Sequence, residues 1–202
     1  METREAIKKR RSQRSFLDKP IEKKMVKRLL ELSNLAPTAM SMQNRRVVVV
    51  TNKLTRKQLY KTGFRQSQLL EAPVILVFTT DFNLHKPEEF LKKSQTWGTS
   101  IFNATPENFK NISRFSQCWK KWSNLWPVQD VDAAITTLML AAVEKGLTTC
   151  WVGLFDNEAV EKILGLPKNQ NVIALICLGH SDKPPKPQHR KPIEELIHWE
   201  KW

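Results

Sequence analysis

Glycine, histidine and cysteine are scarce in this sequence, and each shortage closes off a kind of chemistry. Only six glycines occur in 202 residues. Neither G-x-x-x-x-G-K-[ST] nor G-x-G-x-x-G appears, which excludes a glycine-rich phosphate cradle, and H-E-x-x-H and G-x-S-x-G are missing as well. The four histidines (His85, His180, His189, His198) are scattered, three of them in the C-terminal tail, so no metal site is expected. The cysteines are Cys118, Cys150 and Cys177, an odd number without a C-x-x-C pair, which fits neither a disulfide framework nor a zinc site. The longest apolar runs, Val47–Val50 and Val172–Leu178, fall far short of the roughly 18–20 residues of a membrane span. The opening Met1-Glu2-Thr3-Arg4-Glu5 lacks the apolar core of a secretory signal. A soluble, cytoplasmic protein that does not engage a membrane is expected.

Apolar residues make up 41% and charged residues 26% of the chain, ordinary globular usage that argues against disorder and coiled coil. At this length one domain spanning 1–202 is the simplest reading. The charge is unevenly placed: residues 1–65 hold 18 Lys/Arg against 5 Asp/Glu, net +13, while residues 66–202 hold 15 of each. A basic third attracts polyanions, so nucleic acid, acidic membranes and phosphorylated small ligands must all be weighed, beside the plain alternative of solvated helix faces. Aromatic interleaving, the mark of a single-strand binding platform, is nearly absent from that third, which contains only Phe16, Tyr60 and Phe64.

Along the chain the patterns predict a short helix over 3–9 with Thr3 as its cap, and a longer one over 21–34. A further short helix is capped by Thr38 after the break at Pro37, and strands run over 46–51 and 74–80. From about Phe82 to Val128 the pattern is irregular and holds Trp97, Trp119, Trp122 and Trp126; it reads as an excursion of short helices within the domain. Of the thirteen residues Val131–Val143 only Asp132, Thr136 and Thr137 are not apolar, so this helix should be buried nearly all round, in the domain centre or against another subunit. A strand over 148–152, a helix over 157–164 and a strand over 171–178 come next, and the proline-rich stretch 180–192 is extended. Strands and helices alternate irregularly, which gives α+β or α/β with few strands.

The segment that stands out chemically is Arg10-Arg11-Ser12-Gln13-Arg14-Ser15-Phe16. Arginine forks and a hydroxyl in one extended stretch can hold a phosphate by bidentate, charge-assisted bonds. In extended chain Arg10, Ser12 and Arg14 share a side.

After that block come Lys19-Pro20, Leu35-Ala36-Pro37-Thr38, Glu71-Ala72-Pro73-Val74, Gly146-Leu147-Thr148-Thr149-Cys150-Trp151-Val152-Gly153, Leu164-Gly165-Leu166-Pro167, Leu178-Gly179 and Arg190-Lys191-Pro192-Ile193-Glu194-Glu195. In this order the blocks resemble the successive signatures of the FMN-dependent nitroreductase family; only the excursion over 82–128, a variable lid, is unmatched. The resemblance implies an α+β fold with a small, mostly antiparallel central sheet flanked by helices, in an intertwined homodimer with one FMN in each of two interface sites. It also implies NADH or NADPH as electron donor and hydride transfer through flavin N5 to an electron-poor small molecule by a ping-pong mechanism, with no catalytic side chain. A non-redox flavin-binding protein, or a nucleic-acid-binding protein using the basic third, is the alternative class.

By the same resemblance, Arg10, Arg11 and Ser12 hold the phosphate and ribityl chain. Arg14 sits by the pyrimidine edge, where a fixed cation stabilises the negative charge of reduced flavin. Pro37, Thr38, Ser41 and Gln43 come from the partner subunit, in a loop where the family's A-P-S-x-x-N-x-Q-P-W is altered: Ser41 stands for Asn and Asn44-Arg45 for Pro-Trp. Arg65 and Gln68 reach the ribityl and pyrimidine edge. Trp151, Val152, Gly153 and Leu154 line the ring, with a backbone N–H of Gly153 or Leu154 at N5, and Lys186 and Arg190 close on the phosphate from the tail. Cys150 reads as a small buried hydrophobe.

Overall fold

A computed structural model describes residues 1–85, 124–184 and 188–202. Most of the excursion over 82–128, with three of its tryptophans, and Lys186 therefore lie outside the described residues. Four strands form one sheet: β1 (Arg45–Val50), β2 (Val74–Thr80), β3 (Thr148–Val152) and β4 (Asn171–Gly179), in the order β1-β2-β4-β3 with every pairing antiparallel. The α+β expectation holds. β1 begins one residue earlier than its β-branched run suggests, and β2 matches its expected bounds.

The reason β2 and β4 read as unbroken apolar runs is that both faces of the sheet are covered, so alternation has nothing polar to point at. On one side Val74, Leu76, Phe78, Ala174, Ile176 and Leu178 pack under the helices α2 (Lys23–Asn34) and α5 (Trp126–Glu144). The other side, with Ile75, Val77, Leu175, Cys177, Cys150 and Val152, packs against α3 (Lys53–Thr62) and α6 (Asn157–Leu164). Helix starts obey side-chain chemistry where a cap exists: Asn52 Oδ1 accepts from the Leu54 and Thr55 N–H groups, and Asp156 from that of Ala159. Thr3 is no cap; α1 (Thr3–Lys9) begins from Glu2, and Thr3 is its first helical residue. Thr38 precedes a single 3₁₀ turn over Ala39–Ser41 without capping it through its side chain.

The apolar helix begins earlier than its pattern suggests and is buried on one stripe. Asp130, Val131, Ala134, Ile135, Leu138, Met139 and Ala142 are buried toward the sheet, whereas Asp132, Ala133, Thr137, Leu140 and Val143 are half-buried and Thr136 is exposed. That outer stripe is as rich in small and apolar groups as a face prepared for a partner. Among the described residues no helix is long and apolar enough to cross a membrane, and no three His, Cys, Asp or Glu side chains gather for a metal ion.

Candidate active site

The Arg-Ser segment runs beside β3. Ser12 makes an isolated parallel bridge to Thr149, and the Gln13 N–H donates to the Thr149 carbonyl at 2.9 Å. Extended geometry then sorts the side chains: Arg14 is exposed, Ser12 is half-buried, and Gln13 turns inward to 8% exposure. Gln13 Nε2 donates to Ser181 Oγ and, at 2.8 Å, to the Lys183 carbonyl, tying the segment to the root of the C-terminal tail. Two more bonds fix the residues just beyond Arg14. The Phe16 N–H donates to Glu71 Oε2 at 3.1 Å and the Leu17 N–H to the His180 carbonyl at 2.9 Å. Phe16 itself packs onto Gly179 and Pro73, so closely that a Cβ on Gly179 would meet the ring at 2.7 Å.

Arg10 sits half-buried at the C-terminal end of α1. Arg11 is turned back on that end, its guanidinium donating to the carbonyls of Lys8 and Arg10, where a cation also complements the helix dipole. Burial pushes the Cys150 thiol up from its ordinary value, and the nearby Arg14 charge opposes that shift. Cys150 therefore stays a neutral thiol at pH 7 and is no nucleophile.

From the other direction come residues 63–71, which end in the short helix α4 (Gln68–Glu71). Gln68 is buried and donates to Gln66 Oε1 at 3.0 Å; Gln66 Nε2 donates in turn to the Leu154 carbonyl at 2.8 Å and to that of Gly63 at 3.0 Å. A short relay of amides thus links the Gln68 position to the backbone just beyond β3, and the Asp156 N–H closes the same corner on the Thr62 carbonyl. Phe64 and Arg65 both hold positive φ, 52° and 55°, a conformation that costs a non-glycine residue of order 1 kcal/mol and persists only where the surroundings impose it. Trp151 is half-buried and Val152 buried, while Gly153 and Leu154 are exposed at the strand's end. Gly153 does not have positive φ, and a Cβ there would find its nearest neighbour, Trp151 Nε1, at an ordinary 3.8 Å. The chain's own folding does not require this glycine.

The structure thus lines these segments along β3: Ser12 lies beside Thr149 near its start, Arg14 has its charge near Cys150, and Gln68, through Gln66, is tied to Leu154 just beyond its end. It does not bring the Pro37–Gln43 loop there by any hydrogen bond among the described residues; that loop is fastened to the start of α5. Within it Thr38 Oγ1 accepts from the Gln43 N–H at 3.4 Å, Ser41 Oγ accepts from Gln43 Nε2 at 3.1 Å, and Ser41 and Gln43 both have positive φ. Arg190 is exposed and makes local bonds, to Gln188 Oε1 at 2.6 Å and to the His189 carbonyl at 2.9 Å. Sequence reasoning missed Gln13, Gln66 and Glu71, whose work is to hold the segments together. The one signal was alternation, which puts Gln13 opposite Ser12 and Arg14.

The family model described as Nitroreductase family matches residues 7–180. The chain belongs to the nitroreductase family. Among curated relatives it is 28% identical to an NADH dehydrogenase of Thermus thermophilus, over 98% of this chain and 96% of the relative. Its fold is shared with a nitroreductase-like protein from Streptococcus mutans (TM-score 0.82, 22% identity, 96% of each chain). It is shared also with a protein of Exiguobacterium sibiricum solved in complex with FMN (TM-score 0.77, 20% identity, 99% of this chain and 98% of the other). A nitroreductase assignment accounts for the scarcity of glycine, histidine and cysteine, since a flavin-borne reaction asks the protein for no metal, no glycine loop and no nucleophile.

Proposed function

We propose that two copies of the chain form a homodimer with one FMN in each of two shared sites, and that the enzyme passes hydride from NADH or NADPH to an electron-poor small molecule by a ping-pong mechanism. A nitroaromatic, quinone or enone fits that acceptor class. The enzyme class is that of its family, an FMN-dependent NAD(P)H oxidoreductase. The observation that carries the reading is that two separated sequence blocks, 10–14 and 63–68, are bonded to β3 and to the backbone just beyond it, where Gly153 offers bare backbone that internal packing does not require.

FMN, when bound, supplies the hydride-transfer chemistry. The residues present suit it. Arg10 and Ser12 offer charged and hydroxyl donors to a phosphate, and Arg190 and Lys186 are further donors from the tail. Arg14, exposed beside Cys150, is a fixed cation for the pyrimidine edge. Arg65 and Gln68 reach toward the same ring edge and ribityl chain, Gln68 with its amide oriented by Gln66. Trp151, Val152, Gly153 and Leu154 give a wall whose backbone N–H groups can donate to the ring. Arg11 contributes through the end of α1 that carries Arg10.

The dimer is supported by what a lone chain leaves uncovered. The tail exposes Ile193, Leu196, Trp199 and Trp202, at 57%, 60%, 83% and 101% of their reference surfaces. The outer stripe of α5 is half-buried without a partner. Clustered apolar exposure of this kind marks an interaction surface. In the dimer the Pro37, Thr38, Ser41 and Gln43 loop completes the partner's site. The reading sets the enzyme in the cytoplasm, a reducing compartment in which the unpaired, buried Cys150 and Cys177 persist as thiols.

Absorbance of the purified protein tests this directly. Flavin bands that bleach with NADH or NADPH under anaerobic conditions, and return when a quinone or nitroaromatic is added, are the expected result. Flavin bands that neither nucleotide bleaches would leave a non-redox binding protein, and their absence after reconstitution with FMN would overturn the assignment.

A further inference from the structure

Two buried charged residues, Arg45 and Asp130, lie outside the segments placed along β3. Arg45, the first residue of β1, is 9% exposed, and its guanidinium donates to four backbone carbonyls. These are Asn34 at 2.9 Å, Ala36 at 3.0 Å, Asp130 at 3.3 Å and Pro37 at 3.4 Å. Asn34 is the last residue of α2, and the final carbonyls of a helix have no partner inside it. Arg45 therefore finishes α2 and holds the chain that leaves it.

Across the loop, Asp130 on α5 is 4% exposed and accepts the Ala39 N–H through Oδ1 at 2.7 Å; its Oδ2 is buried with no hydrogen-bond partner among the described residues. Thr38 thus lies between Pro37, pinned by Arg45, and Ala39, pinned by Asp130. Just beyond, Ser41 and Gln43 hold φ of 55° and 49°, conformations that survive only where the surroundings over-determine them. A guanidinium can span several carbonyls because its five N–H donors are fixed in a plane. An indole, which the family pattern carries at this position, has one N–H donor.

We infer that Arg45 and Asp130 are positioning residues of the flavin site, and that in this chain their side-chain bonds to the Asn34–Ala39 backbone set the shape of the loop presenting Thr38, Ser41 and Gln43 to the partner subunit. The inference rests on the FMN reading for its functional half only. Neither residue touches the ligand; their effect runs through the Asn34–Gln43 backbone.

The test compares Arg45→Met, Arg45→Lys, Asp130→Ala and Asp130→Asn with the parent homodimer, and with Arg10→Ala as a variant of the phosphate contact. Three quantities are read: melting temperature, FMN dissociation constant by titration of the apo-protein, and hydrogen exchange of the 38–43 amides without FMN. Arg45→Met and Asp130→Ala should raise the FMN dissociation constant at least tenfold and speed exchange at Ala39 and its neighbours by a similar factor. Asp130→Asn keeps an acceptor for the Ala39 N–H and should stay within threefold of the parent; Arg45→Lys, a point charge without the fork, should fall between.

Arg10→Ala should weaken FMN with loop exchange unchanged, which separates positioning from contact. A purely architectural pair would lower the melting temperature and leave the dissociation constant of the folded variants where it was, and that result overturns the inference. Parent-like loop exchange in Arg45→Met and Asp130→Ala overturns it too. If Arg45→Met does not fold, Arg45→Lys and Asp130→Ala carry the decision. If the parent takes up no FMN, the functional reading fails, while the exchange data still decide whether the pair shapes the loop.

Discussion

Adding one methyl group at Gly179 should loosen the ligand segment from a distance. A Cβ there would lie 2.7 Å from Phe16 Cδ1 and 2.8 Å from Pro73 Cδ. Pro73 is buried and its ring is rigid, so Phe16 has to yield, and with it the backbone that carries Ser12 and Arg14. Overpacking of this kind costs about 1–3 kcal/mol. Alanine in a strand regains about 0.5–1 kcal/mol over glycine, which leaves a net loss of about 1 kcal/mol for Gly179→Ala at the middle of the two ranges. In a chain of this size each kcal/mol lowers the melting temperature by about 2–4 °C, so a fall of about 2–4 °C is expected, accompanied by lower FMN occupancy. Phe16→Leu removes ring atoms, so the double variant should be less destabilised than the sum of the two, with a coupling of about 0.5–3 kcal/mol. Scanning calorimetry of the four proteins measures this. A Gly179→Ala protein that melts at or above the parent would show that the contact between Phe16 and Gly179 does not set the position of the segment.

Arg10→Ala should weaken FMN by roughly ten- to a hundredfold, the equivalent of one charge-assisted hydrogen bond of about 1.5–3 kcal/mol; unchanged flavin content after gel filtration would remove Arg10 from the site. Leu140→Glu, on the half-buried stripe of α5, should abolish dimer and flavin together, and sedimentation of a monomer that still binds FMN stoichiometrically would refute the shared site. Burial lifts the Asp130 carboxyl above its ordinary 3.8, against the Ala39 N–H bond and the Arg45 charge. The folded protein therefore holds that proton to higher pH than the unfolded chain, and this group's contribution to stability declines as pH rises from 3.8 through the raised value. Asp130→Asn should flatten that part of a stability-against-pH curve. Reduction by NAD(P)H should slow with added salt, through screening of the basic first third, and stopped-flow rates that ignore ionic strength would exclude steering.

The central strands β2 and β4 were legible because they are buried on both faces, and apolar runs of that length beside proline and glycine stops have few other uses. α5 was legible as a helix but its environment was not. Ala134 and Leu138 look as suited to a subunit interface as Thr137 and Leu140, yet the first two are fully buried in the chain's own core. Alanines and leucines carry no mark of which apolar surface they meet. The 10–16 segment stood out because arginines and serines crowd one short extended stretch, and because it heads a run of blocks in the family's order. Arg45 stayed hidden among 18 basic residues of the first third. It and Arg56, which donates to the Leu70 and Ala72 carbonyls at 2.9 and 2.7 Å, spend their charge on backbone inside the fold. Composition counts such arginines as surface.

The bridge between Ser12 and Thr149 bears on how the chain survives damage. β3 is an outer strand, and an outer strand with open N–H and C=O groups invites pairing with other chains. Residues 12 and 13 occupy part of that edge, so the stretch proposed for the FMN phosphate is also a bandage over a sticky seam. A molecule clipped near its N-terminus loses both at once: it becomes inactive and prone to stack with its neighbours. Loss of activity and loss from solution should therefore track each other during limited proteolysis, and few inactive but soluble molecules should accumulate.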